Sequence, residues 1–229
     1  MECNREFPAS GKTEIDNRKG FILMKKYVLI AGVNGAGKST LYQTFDSFKD
    51  MERVNVDEIV RSFGDWKNFS DMMQAGKIAI RKMAHYFEEG ISFNQETTLC
   101  GQSILNTIDK ARALNYKIEL HYISVESAET AKQRIAYRVL HGGHGIPDAD
   151  VERRYAESFY HLNIIKDKCD LVVFYDNTTL FHRFAVYQNG NLDILTDQVP
   201  LWFAATFHIW CPGILDCGSI AKKHLSQLL

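Results

Sequence analysis

Between Tyr27 and Tyr175, short apolar runs alternate with longer stretches whose apolar residues recur every three or four positions. The runs Tyr27–Ala31, Arg53–Val56, Ile91–Thr98, Lys117–Ser124 and Leu171–Tyr175 read as strands. Between them, Leu41, Phe45 and Phe48 follow a helical spacing, as do Met72, Ile78, Ile80, Met83 and Phe87 in a helix from about Asp71 to Glu89, closed by Gly90. Further helices are expected over Ile104–Leu114, about Ser127–Leu140, and from an Asp148 or Asp150 cap to about Lys168. Strands alternating with helices of this length predict a mainly parallel five-stranded sheet with helices on both faces. From Arg183 the period changes. RFAVYQNGNLDIL reads as two short strands about Asn189-Gly190, a C-terminal β-hairpin.

The first strand runs into Gly32-x-x-x-x-Gly37-Lys38-Ser39, and a helical pattern follows. This is a P-loop in its required strand–loop–helix setting, and it makes the fold class a three-layer α/β P-loop NTPase. Gly32, Asn34, Gly35, Ala36, Gly37, Lys38, Ser39 and Thr40 form the expected nucleotide cradle. Glycines let the backbone turn successive N–H groups onto phosphate oxygens. Lys38 brings a mobile charge to the β- and γ-phosphates of ATP, and Ser39 offers a hydroxyl to Mg²⁺.

Length and charge narrow the class. The chain has 229 residues and a net charge of −1, enough for one sizeable domain and without a basic field for nucleic acid or membrane. Five dispersed cysteines with no C-x-x-C spacing fit reduced thiols in a cytoplasmic protein. No run is long enough to span a bilayer. Residues 1–23 are polar and expected to be a loosely ordered extension, and Ser10-Gly11-Lys12-Thr13 within them lacks the strand a P-loop needs. Residues 24–180 form the main domain, and 181–229 carry the hairpin and a tail packed on the same domain. The pattern gives no position to the tail from Trp202.

Three further groups carry chemistry. Asp57 lies just past the second strand, at the end of the sheet where ligands bind. It is either a general base for an acceptor hydroxyl or a helix N-cap. Glu96, with Thr97 and Thr98 at the end of the third strand, holds Mg²⁺ through water, binds substrate hydroxyls, or is a plain exposed strand end. Arg134, Arg138, Arg153 and Arg154 flank the break His141–Pro147 (HGGHGIP). Two helices joined there would make a lid carrying positive charge, the alternative being a solvated face with pairs such as Glu129 and Arg134. His144, between glycines, reads as a loop residue rather than a metal ligand.

IAGVNGAGKST, RVNVDEI, FNQETTL and RVLHGGHGIPDADVERRY together resemble the zeta-toxin family of P-loop kinases, in its small bacterial branch often labelled predicted ABC-type ATPases. The resemblance spans roughly Lys26 to Asn177. It implies a kinase domain over 24–180 that transfers the γ-phosphoryl of ATP to the 3′-hydroxyl of UDP-N-acetylglucosamine, acting as a toxin with an antitoxin partner. Carried over, Lys38 and Ser39 match the phosphate and Mg²⁺ residues, Asp57 the base, and Glu96 and Thr98 the substrate-side Glu-x-Thr. Arg138 and Arg154 (or Arg153) match the lid arginines. The alternatives are another metabolite or nucleotide kinase, an ATPase, or a nucleotide-binding regulatory module. An ATPase of the ABC type would need an LSGGQ-like signature, which the chain lacks.

Overall fold

A computed structural model describes residues 24–207. The elements, in order, are β1 (Lys26–Gly32), α1 (Lys38–Thr44), α2 (Asp46–Lys49), β2 (Glu52–Val54), α3 (Val56–Arg61), α4 (Phe69–Glu89), β3 (Phe93–Thr97), α5 (Gln102–Ala113), β4 (Lys117–Ser124), α6 (Ala128–Leu140), α7 (Asp148–Ile165), a 3₁₀ turn (Lys166–Lys168), β5 (Leu171–Asp176), β6 (His182–Gln188), β7 (Asn191–Ile194) and α8 (Leu201–Phe207). They form one seven-stranded sheet in the order β2-β3-β1-β4-β5-β6-β7.

The first five strands in that order are parallel, as their apolar runs predict. The hairpin does not stand apart. β6 pairs antiparallel with β5 and continues the sheet, with Asn189 and Gly190 both at positive φ (53° and 80°), as a tight hairpin turn requires. Fully buried Tyr27, Leu29, Phe93, Leu120, Tyr122, Phe174 and Phe184 build one core layer, and Val28, Ile30, Leu41, Ile123 and Val173 the other. Alternate residues of the same strands thus feed opposite faces. No helix among the described residues is long and apolar enough to cross a membrane.

Several local expectations shift. The helix after the P-loop breaks at Phe45, which is extended (φ −113°, ψ 114°) and turns its ring onto Phe48 and Tyr175. Neither Asp148 nor Asp150 caps α7. Pro147 holds the cap position and both acids lie in the first turn, where they favour the helix dipole. The tail enters the core through α8, where Trp202 and Phe203 pack on Phe184. The indole Nε1 of Trp202 donates to buried Asp176 Oδ1 at 2.7 Å, and Thr178 donates to the same carboxylate. The expectations for residues 1–23 and for the tail beyond 207 lie outside the described residues.

His121 on β4 makes the fold acid-sensitive. It packs on Phe48 and bonds the Tyr175 hydroxyl at 3.1 Å. Burial pushes its pKa down to about 4, with Glu119 opposing and Lys26 and Arg183 reinforcing. The folded state therefore holds a neutral imidazole where the unfolded chain takes up a proton. Stability is complete above about pH 6.5 and falls as pH drops through 4, by roughly 3 kcal/mol in all. His121→Phe should flatten the urea midpoint between pH 6.5 and 4, whatever its effect at neutral pH. An unchanged slope would place the acid-sensitive group elsewhere.

Candidate active site

Sheet order puts β1 between β3 and β4, so the loop after β1 lies beside the end of β3. In register, Ile30 faces Glu96 and Ala31 faces Thr97. The P-loop is fixed by backbone close approach. A Cβ on Gly32 (φ +145°) would sit 1.9 Å from the Ile123 carbonyl oxygen. One on Gly37 (φ +104°) would meet Asn177 Nδ2 at 2.7 Å, and that amide donates to the Ala36 carbonyl at 2.8 Å. Only glycine accepts these positions.

Lys38 Nζ donates to the carbonyls of Gly32 (3.0 Å) and Val33 (3.1 Å), curling back over the loop it follows. Burial lowers its pKa. The charges of Glu96 and Asp57 oppose that shift and Arg138 adds to it, so these side chains share one electrostatic neighbourhood. Ser39 Oγ is 3.3 Å from Glu96 Oε1. A hydroxyl beside a carboxylate is a hard oxygen donor set that suits Mg²⁺, an ion bound through one or two protein ligands plus substrate phosphates. No cluster of three or more acidic, histidine or cysteine side chains with metal-binding spacing occurs among the described residues. Asn34 Oδ1, buried in the loop, has no hydrogen-bond partner there.

Asp57 does not cap its helix. Asn55 is the N-cap of α3, its side chain accepting from the backbone N–H groups of Asp57 and Glu58. Asp57 sits at the second helical position and borders a cavity of about 630 Å³ lined also by Arg61, Asp65, Trp66 and the lid residues His141–His144. His144 lies 4.4 Å, ring to ring, from Trp66. Burial lowers the His144 pKa. Asp57 counters this, while Arg138, Arg154 and Arg61 reinforce it.

The four arginines divide. Arg134 is a strut, donating to the carbonyls of Asn177 (2.6 Å) and Thr178 (3.0 Å) behind the P-loop, while Glu129 pairs with Lys132 instead. Arg153 is held by Asp150 (3.0 Å) and Glu157 (2.8 Å). Arg138 and Arg154 both act on His144. Arg154 also lines a second cleft of about 380 Å³ with Thr98, Cys100, Gly101, Arg153 and Glu157. Thr98 is presented by a tight turn in which buried Leu99 adopts φ +60°.

Sequence reasoning passed over Arg53, Asn55, Trp66 and the site-facing place of His144. Arg53 and Asn55 stand within RVNVD, two to four residues from Asp57, and that proximity was the available signal. Nothing local marks Trp66 or joins it to His144.

The family model described as zeta toxin matches residues 8–198. The chain belongs to the zeta toxin family. A Haemophilus influenzae relative, described as an uncharacterized protein, is 30% identical over 138 residues, 60% of this chain and 98% of its own length. Among solved structures, the complex of AvrRxo1-ORF1 with AvrRxo1-ORF2 aligns over 90% of this chain and 76% of that one (TM-score 0.60, 15% identity). A related structure of that complex contains ATP (TM-score 0.59, 14% identity, 90% and 76% covered). The PezAT toxin–antitoxin system of Streptococcus pneumoniae aligns over 92% of this chain and 89% of that one (TM-score 0.54, 17% identity). At these identities the structures establish a shared fold. This zeta toxin family member carries its β6–β7 hairpin in the same sheet as its five parallel strands.

Proposed function

We propose that the protein is a kinase that transfers the γ-phosphoryl of ATP to a hydroxyl of a small molecule, a nucleotide sugar such as UDP-N-acetylglucosamine, and that an antitoxin protein restrains it. The observation that carries this reading is Asp57. It caps nothing, borders a cavity large enough for a metabolite, and lies in the field of the P-loop lysine.

In this reading the P-loop amides and Lys38 hold the triphosphate. Asp57 accepts the proton from the acceptor hydroxyl, whose oxygen attacks the γ-phosphorus as the bond to the β–γ bridging oxygen breaks and ADP leaves. Glu96 and Thr98 hold the acceptor's other hydroxyls. Arg138 and Arg154 balance the charge gathering on the transferring group. Ser39 and Glu96 would hold Mg²⁺, which would supply positive charge against the phosphates.

The test incubates the protein with γ-labelled ATP, Mg²⁺ and either UDP-N-acetylglucosamine or a metabolite extract, with products identified by mass spectrometry. A phosphorylated sugar nucleotide is expected, and ATP consumed only by water would overturn the kinase reading. The neighbouring arginines give a second check. Arg154→Ala should lower kcat roughly 100-fold. Arg153→Ala, on the same cleft but with its guanidinium already paired to Asp150 and Glu157, should change kcat less than about threefold. Equal losses in the two variants would remove the distinction between them.

A further inference from the structure

Asn55 touches both acidic residues of the site through one buried amide. Its Oδ1 accepts from Asp57 N at 2.9 Å and Glu58 N at 3.4 Å, fixing the first turn of α3 on which Asp57 rides. Its Nδ2 donates to Glu96 Oε2 at 3.0 Å. Arg53 grips the same oxygen at 2.8 Å. Arg53 is itself held by Glu58 (3.0 Å from Nε), by Asn94 Oδ1 (3.3 Å from Nη1) and by stacking 3.5 Å above the Tyr42 ring. Glu96 is therefore used asymmetrically. Oε2 takes the Asn55 and Arg53 donors, and Ser39 Oγ lies 3.3 Å from Oε1 and 3.5 Å from Oε2, so among the described residues the serine hydroxyl is the one hydrogen-bond partner of Oε1.

We propose that Asn55 is a positioning residue, an amide bracket with Arg53 behind it. It fixes the Asp57-bearing turn and the Glu96 carboxylate at one separation, and it presents Glu96 Oε1 to the cation that accompanies the triphosphate. This rests on the kinase reading above, but concerns residues given no role there. The bracket explains why a carboxylate so close to the P-loop is not left to rotate. Each of its rotamers that abandons Oε2 gives up two hydrogen bonds, one of them charge-assisted. It also explains why an asparagine is needed where serine or aspartate caps a helix equally well. The amide carries its acceptor for the helix and its donor for Glu96 on two separate atoms, whereas a serine hydroxyl would have to serve both from one atom and an aspartate has no donor at all.

Two variants separate bracket from cap. Asn55→Ser keeps a capping oxygen and loses the separate Nδ2 donor that reaches Glu96, whereas Asn55→Ala loses both. The readout is the Mg²⁺ concentration at half-effect on binding of a fluorescent ATP, N-methylanthraniloyl-ATP, which needs no acceptor. With it goes the melting temperature, and kcat and KM on UDP-N-acetylglucosamine. The expected result is a Mg²⁺ midpoint raised severalfold in both variants, with melting lowered only in Asn55→Ala. kcat should fall about tenfold in Asn55→Ser while the ATP KM holds. A wild-type Mg²⁺ midpoint in Asn55→Ser would overturn the proposal, as would nucleotide binding that ignores Mg²⁺ in the native protein. If the native protein modifies no acceptor, the kinase reading fails, and the midpoint alone then judges the bracket.

Discussion

Asp57→Asn should lower kcat by roughly two to four orders of magnitude, the usual contribution of a positioned general base, while costing no more than about 1 kcal/mol of stability. The geometry sharpens both halves of that expectation. Asn55 supplies the cap of α3, so the cap survives any change at Asp57. What Asp57→Asn and Asp57→Ala lose in stability is a negative charge in the first helical turn, worth about 0.3–1 kcal/mol. The ATP dissociation constant should stay within about twofold, because a base removed from the acceptor side changes the transition state and not nucleotide binding. If Asp57 instead holds Mg²⁺, raising the metal concentration should restore part of the rate in the Asn variant. The measurements are kcat, ATP affinity and melting temperature for the native protein and both variants at two Mg²⁺ levels. A native kcat in Asp57→Asn would remove the hydroxyl-transfer mechanism even if ATP binding held.

Lys38→Ala should reduce transfer by roughly a thousandfold or more, since a preorganised charge on the transferring phosphate is lost from a site that water cannot replace. Its structural cost is bounded. The carbonyls of Gly32 and Val33 each lose one charged donor, about 1–3 kcal/mol apiece. The loop path is set by the packing of Gly32 against Ile123 and of Gly37 against Asn177, which the substitution does not touch. Lys38→Arg should fail nearly as badly, because a planar fork cannot follow the curl that brings the ammonium back over the loop. Melting temperature and single-turnover transfer settle the point. Substantial transfer by a folded Lys38→Ala protein would sink the P-loop argument.

β1 and β5 were legible because they bury both faces and so appear as unbroken apolar runs, as Tyr27–Ala31 does, whereas Lys117–Ser124 showed itself by alternating polar and apolar residues. The hairpin was legible because Asn189-Gly190 tolerates the positive φ its turn demands. Lys38, Ser39 and Asp57 were legible for a related reason, since strand ends deliver side chains to one edge of the sheet. What stayed hidden depends on rotation and distant packing. Arg153 and Arg154 are neighbours in sequence but about 100° apart around α7, and only the seating of α7 decides which one meets the lid. The break at Phe45 follows from an aromatic site on Tyr175 that no window of sequence reveals. Trp66 and His144 stand 78 positions apart, and the meeting of lid and α3–α4 connection joins them.

The Trp202–Asp176 bond has a consequence for the order in which the molecule becomes complete on the ribosome. The P-loop emerges well before its rear support, Asn177, which adjoins a buried aspartate that is fully satisfied only once residue 202 has been made. Contacts of such long sequence separation form late. A nascent chain that has exposed Lys38 and Asp57 but not α8 has its site residues without their backing, so competence to bind nucleotide should wait for residue 202 to be made.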